Sequence, residues 1–92
     1  MRITPGYAEA HENLASALLR VPGGLPQAVA HYEAAVRLKP DSAEAHYNLG
    51  VTLASMPGRL PEAMSHLETA QRINPNDEAT RQALQQLRAA RP

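Results

Sequence analysis

A repeat of 35 residues constrains the fold of this chain more than any other feature. Proline recurs at positions 5, 40 and 75, and many residues between the prolines match at the same spacing. For example, the Ala-Glu-Ala-His run at 8–11 returns at 43–46. A fixed period of roughly 20 to 50 residues is typical of solenoids, in which similar units stack in a row.

The repeat predicts one domain over 1–92, divided into a tail, two repeats and a terminal helix over residues 1–7, 8–42, 43–77 and 78–92. The tail is interpreted as the end of a preceding unit, because Arg2-Ile3-Thr4-Pro5 aligns with the residues that lead to Pro40 and Pro75. We therefore expect a fragment of a longer array. The alternative is a natural start that mimics the motif.

The apolar spacing and the prolines predict that each repeat is a pair of helices. Leu14, Leu18 and Val21 are four and three residues apart, so they share one face of a first helix. Pro22 lacks an amide hydrogen and ends that helix, and Pro26 suits the first position of the next one. The predicted helices span residues 8–20, 26–38, 43–55, 61–73 and 78–90.

The inward faces of these helices predict the core. Leu14, Leu49 and Leu84 occupy the same place in successive units and are expected to lie between helices. Ala28 and Ala63 are small enough to let a neighbouring helix approach closely. The other expected core residues are Leu18, Val21, Val29, Tyr32, Ala35, Val36, Leu53, Met56, Met64, Leu67 and Ala70.

Composition and charge exclude several classes of function. Nine basic and nine acidic residues balance, so the chain lacks the basic surface expected for binding nucleic acid or an anionic membrane. No cysteine is present, which excludes disulfides and thiolate zinc sites and leaves the compartment open. No apolar run is long enough to span a bilayer. We therefore expect neither a nucleic-acid partner nor a membrane partner.

The spaced residues resemble the tetratricopeptide repeat (TPR) family, whose unit is a pair of antiparallel helices of about 34 residues. The matching positions of the second unit are His46, Leu49-Gly50, Leu53, Ala63, Leu67, Ala70 and Pro75. Those of the first unit are His11, Leu14-Ala15, Leu18, Ala28, Tyr32, Ala35 and Pro40. The resemblance implies an all-α, right-handed α-solenoid of antiparallel helix pairs, with two TPR units and a C-terminal capping helix.

Three departures from the family pattern accompany the resemblance. Each unit is one residue longer than the family norm, and the extra residue falls at Pro22 and Pro57 in the turn between helices. Histidine replaces the usual aromatic residue at the first large position. Gln85 stands where a small residue is usual, so we expect nothing to pack there.

The resemblance also implies a peptide-binding groove lined by the first helix of each pair. Asparagine at the place of Asn13 and Asn48 faces the groove in the family, where its amide can both donate to and accept from a peptide backbone. The full set of candidate groove residues is Asn13, Asn48, Glu9, Glu44, Tyr47, Ser16 and Arg20. Chaperone-type members grip a carboxylate with basic side chains, but this chain has glutamate at those places. A neutral or basic extended segment is therefore the expected ligand.

The residues indicate neither a metal site nor a catalytic site. His11 and His46 stand at the large packing position, so we expect them to be partly buried and hydrogen-bonded. His31 and His66 fall on the second helices and are expected to face solvent, and no pair of histidines has the short helical spacing of a ligand cluster. No glycine-rich phosphate loop is present, and we expect no cofactor.

The sequence thus predicts a non-catalytic module that binds a peptide or helix of a protein partner. Two alternatives stay open. One is a scaffold segment that self-associates through exposed terminal helices, since about three repeats are usually needed for stability. The other is an accessory domain of a larger enzyme, such as a glycosyltransferase.

Overall fold

The structure is a computed structural model that describes residues 7–90. All regular structure in this range is helical. The helices are α1 (Tyr7–Leu18), α2 (Leu25–Leu38), α3 (Ala43–Leu53), α4 (Leu60–Ile73) and α5 (Glu78–Ala90). The predicted tail lies outside the described residues except for Tyr7, which begins α1.

Each helix packs mainly on its neighbours in the chain, so that α1 and α2 form one pair, α3 and α4 form a second, and α5 lies against α4. The molecule measures 48 × 32 × 18 Å. Since a helix with its side chains is about 10–12 Å across, the shortest dimension corresponds to two helix layers. These features confirm the predicted all-helical repeat architecture.

The turn within each pair follows the proline and is built on a left-handed glycine. Gly23 and Gly58 both have φ of 79°, a conformation that disfavours residues with a side chain. The first helices end at Leu18 and Leu53, two residues before the predicted ends. After Leu18 the backbone hydrogen bonds change from the α-helical pattern to the shorter spacing of a 3₁₀ turn. For example, the amide of Val21 donates to the Leu18 carbonyl at 3.1 Å.

Side-chain caps fix the starts of α3 and α5. The Ser42 hydroxyl accepts from the amide of Ala45 at 3.1 Å, the hydrogen bond that serine commonly makes at the start of a helix. One repeat later, the Asp77 carboxylate accepts from the amide of Thr80 at 3.1 Å and from its hydroxyl at 2.6 Å. The same position of the repeat therefore caps a helix with a hydroxyl in one unit and with a carboxylate in the next.

The main core joins the two pairs. Its buried members are Ala15, Ala28, Val29, Tyr32, Leu49, Leu53 and Ala63. A smaller cluster of Met64, Leu67 and Leu84 attaches α5 to α4. Gln85 is exposed, which agrees with the expectation that nothing packs on it.

Gly50 marks the closest approach of α3 and α4. A side-chain carbon at this position would lie 2.7 Å from Cγ of Leu67 and 3.1 Å from the Ala63 carbonyl oxygen. The small residue of the Leu-small pair is therefore required by the approach of the second helix. Ala15 occupies the equivalent place in the first pair and is fully buried.

The prediction that Leu14 and Val21 lie in the core is wrong. Leu14 is 47% exposed and Val21 is 52% exposed, whereas Leu49 is 1% exposed at the same place in the next unit. The second helix of the first pair covers Leu49, but no helix of the described chain precedes α1. Leu18, the third member of the predicted set, is partly buried against the core.

Candidate functional site

The predicted groove residues lie on α1, on α3 and in the turn after α1. Asn13, Glu9 and Ser16 are exposed on α1, and Arg20 lies in the turn beyond its end. On α3, Glu44 is exposed, while Tyr47 and Asn48 are half-buried. The two helices therefore offer polar side chains in the same repeat register.

A shallow cleft of about 370 Å³ lies between the start of α3 and the start of α5. Its lining residues are Ala43, Glu44, Tyr47, Asn48, Asn74, Asp77 and Ala79. The cleft brings together Glu44, Tyr47 and Asn48 from the predicted set. It does not include the predicted residues of α1.

Sequence reasoning missed Asn74 and Asp77 as cleft residues. Both lie in the turn from α4 to α5, and the helix-face pattern that nominates the other residues does not extend into a turn. The equivalence between Ser42 and Asp77 was the available signal, since it marks Asp77 as a helix cap. Because one Asp77 oxygen accepts both Thr80 hydrogen bonds, its other oxygen is available to the cleft.

The surface formed by the first helices is acidic. Partial burial raises the pKa of Glu12, and the nearby charges of Glu44 and Glu9 raise it further, while Lys39 opposes them. The negative charges of Glu9 on α1 and Glu44 on α3 therefore repel that of Glu12. Such a surface favours a positively charged ligand over an acidic one.

Ser16 has a structural contact in addition to its place on the predicted groove. Its hydroxyl lies 3.0 Å from the hydroxyl of Tyr32, which is otherwise buried in the core. A buried tyrosine usually finds a partner for its hydroxyl. Ser16 therefore helps to join α1 to α2.

The histidines form two repeat-related pairs, and the prediction that His31 and His66 face solvent is wrong. Nδ1 of His11 lies 2.9 Å from Nδ1 of His31, and Nδ1 of His46 lies 3.0 Å from Nδ1 of His66. The partners are 20 residues apart and lie on different helices, so helical spacing could not reveal them. The expectation that His46 is buried and hydrogen-bonded is confirmed, because it is 7% exposed.

The hydrogen bonds of His46 determine the tautomers of its pair. Nε2 of His46 lies 2.8 Å from the carbonyl oxygen of Pro40, which can only accept, so Nε2 carries the hydrogen. In the neutral ring Nδ1 of His46 then accepts, and Nδ1 of His66 donates to it. Burial lowers the pKa of His66, and the neighbouring His46 lowers it further.

Residues 7–90 contain no group of three or more histidine, cysteine, aspartate or glutamate side chains placed to hold a metal ion. None of the helices in this range is both long enough and apolar enough to cross a membrane.

Comparison with known proteins gives a match of part of the chain to a family model. A search of curated proteins found no match to the chain. Residues 23–56 match a family model described as a TPR repeat, and this segment spans α2 and α3, where the two helix pairs meet. Repeats of this family typically mediate protein–protein interactions and are typically non-catalytic. The match is confined to residues 23–56, and the all-helical repeat fold of the described residues is consistent with a TPR repeat there.

Proposed function

We propose that this chain is a non-catalytic module that binds an extended, basic segment of a protein partner. The observation that carries the proposal is the acidic cleft between α3 and α5, in which Glu44, Tyr47 and Asn48 lie together. The Asn48 amide can pair with a peptide backbone, and Glu44 can pair with a lysine or arginine side chain. Tyr47 adds an aromatic surface to the same cleft.

The proposed groove continues from the cleft onto α1. Asn13 is one repeat before Asn48 and is exposed, so it is available to a second point of the same peptide. The carboxylates of Glu9 and Glu44 act on Glu12 between them, which supports a continuous acidic surface. Burial of a basic side chain there is expected to lower the pKa of Glu12 from its raised value.

The test is selection of peptides from a random display library on the wild-type chain, followed by affinity measurement on the selected peptides. We expect lysine or arginine to be enriched among them. The double variant Asn13→Ala, Asn48→Ala is expected to bind at least about tenfold more weakly, the equivalent of about 1.4 kcal/mol. Asn76→Ala is the matched control, because Asn76 is exposed and does not line the cleft.

Equal affinity of the double variant and the wild type would contradict the groove assignment. Selection of acidic peptides would contradict the charge argument. Circular dichroism of each variant serves to separate loss of binding from loss of fold.

We propose self-association as a second function, because α1 and the turn that follows it expose large apolar side chains. Tyr7, Leu14 and Val21 are each about half exposed. The equivalent surface of α3 is covered within the chain. A scaffold segment with such an open face would join copies of itself at high concentration.

A further inference from the structure

The histidine pairs are a feature of the structure that the proposed peptide groove does not use. In each pair the Nδ1 atoms of two rings face each other, at 2.9 Å between His11 and His31 and at 3.0 Å between His46 and His66. The ring centres are 5.2 Å and 5.3 Å apart, and the ring planes are inclined by 31° and 27°. Because both helix pairs show the same geometry, the arrangement belongs to the repeat unit.

The spacing of these nitrogens suits two adjacent ligands of one metal ion. Bonds of about 2.0–2.1 Å that meet at about 90° place two nitrogen atoms about 3 Å apart. A tetrahedral angle would place them about 3.4 Å apart, so the pairs fit an ion of tetragonal geometry better than zinc. Copper(II) and nickel(II) prefer this geometry and bind imidazole, and copper(II) binds nitrogen ligands more tightly than nickel(II) does.

The surroundings of His46 are those of a metal-binding histidine. Its Nε2 donates to the carbonyl oxygen of Pro40 at 2.8 Å, and this contact leaves the lone pair of the neutral ring on Nδ1, facing His66. Backbone carbonyls commonly orient metal-binding histidines in this way. His46 is 7% exposed, so its ring is held in place, whereas His66 is partly exposed and gives an ion access from solvent.

Carboxylates beside the second pair add negative potential. Glu33 and Glu62 both act on His66, and both pair with a single guanidinium, that of Arg59. These groups together leave a net negative charge near the histidines, which favours a bound cation. No set of three or more ligands is formed within residues 7–90, so water would fill the remaining positions around the ion.

We propose that each histidine pair binds one copper(II) ion through its two Nδ1 atoms, which gives one site in each helix pair. The ion replaces the hydrogen between the rings, and both rings turn so that their Nδ1 lone pairs meet at the ion. In the second pair the hydrogen of His66 moves through water from Nδ1 to Nε2, so the neutral rings release no net proton. The two sites do not depend on the peptide groove.

Isothermal titration calorimetry with copper(II) chloride near neutral pH tests the number of sites. We expect the wild-type chain to bind two ions, and His31→Gln and His66→Gln to bind one ion each. The variant with both substitutions is expected to bind none. Each single variant is the matched control of the other, because it removes one ligand and leaves the equivalent pair intact. Zinc(II) is expected to bind the wild type at least about tenfold more weakly than copper(II).

Several results of the titration would overturn the proposal. Two ions bound by the double variant would show that copper binds elsewhere on the chain, and no binding by the wild type would exclude both sites. Loss of an ion in only one of the single variants would exclude the site in the other pair. Zinc bound as tightly as copper would contradict the argument from geometry. None of these results bears on peptide binding.

Electron paramagnetic resonance of the wild-type complex tests the ligands even if a variant fails to fold. With less than one equivalent of copper(II), the splitting of the signal by nitrogen reports how many imidazole nitrogens bind the ion, and two are expected. Labelling of the histidines with nitrogen-15 is expected to change this splitting. A spectrum with one nitrogen ligand, or with oxygen ligands alone, would overturn coordination by the pair.

Discussion

At the scale of single residues, the pair of His46 and His66 has the most closely defined chemistry. The Pro40 carbonyl holds the hydrogen of His46 on Nε2, so the proton between the rings belongs to His66. Burial and the neighbouring His46 ring both oppose a positive charge on His66. Glu62 and Glu33 favour protonation of His66 without overcoming burial and the neighbouring ring.

The lowered pKa of His66 predicts that stability depends on pH. The unfolded chain binds a proton at His66 below its ordinary pKa of about 6.5, whereas the folded chain resists it. The contribution of His66 is therefore fully present above about pH 6.5 and is lost as the pH falls through the folded pKa. We expect urea midpoints of the wild type to decrease between pH 7 and pH 5.

His66→Gln is the matched variant for this measurement, because glutamine does not titrate. Its urea midpoint is expected to depend less on pH than that of the wild type over the same interval. Parallel curves for the two proteins would show that His66 does not titrate differently on folding.

At the scale of helices, the same leucine has different surroundings in successive units. Leu49 on α3 is buried against α2 and α4, whereas Leu14 on α1 is half exposed. Leu49→Ala is expected to lower the free energy of unfolding by roughly 2–5 kcal/mol, since it leaves a cavity in the core. Leu14→Ala is the matched control and is expected to cost below about 1 kcal/mol, measured by urea unfolding at low protein concentration.

Equal losses at Leu14 and Leu49 would contradict the difference in burial. Low concentration matters in this comparison, because the self-association proposed above would stabilise the wild type and add to the apparent cost at Leu14.

The helices could be predicted well from local patterns, and their partners could not. Periodic leucine and alanine located all five helices, and α5 spans the predicted residues 78–90. The repeat did not show that Leu14 is exposed, because periodicity assigns a residue to a face without showing what lies opposite. In the same way, Asn74 enters the cleft through the geometry of a turn.

At the scale of the whole molecule, packing between sequence neighbours predicts uneven stability. The helix α3 lies between α2 and α4, whereas α5 packs mainly on α4. Local unfolding of α5 therefore costs less than opening the centre, as in other repeat proteins. We expect amides in the middle of α5 to exchange with solvent at least about tenfold faster than amides in the middle of α3.

Hydrogen exchange followed by NMR measures this difference. Leu84→Ala is expected to speed exchange in α5 more than in α3, because Leu84 is 1% exposed against α4. Gln85→Ala, at an exposed neighbouring position, serves as the control. Uniform exchange across both helices would show that the chain unfolds only as one cooperative unit.

The arrangement of the helices in a row has a consequence for how such a chain can evolve. A closed barrel or bundle has a fixed number of members, because its last element must meet its first. Here no element has to close a ring, so a tandem copy of residues 43–77 could enter the gene with few new contacts to accommodate. Each such duplication would lengthen the molecule by one step and add one more asparagine, in the same register, to the surface that faces a partner.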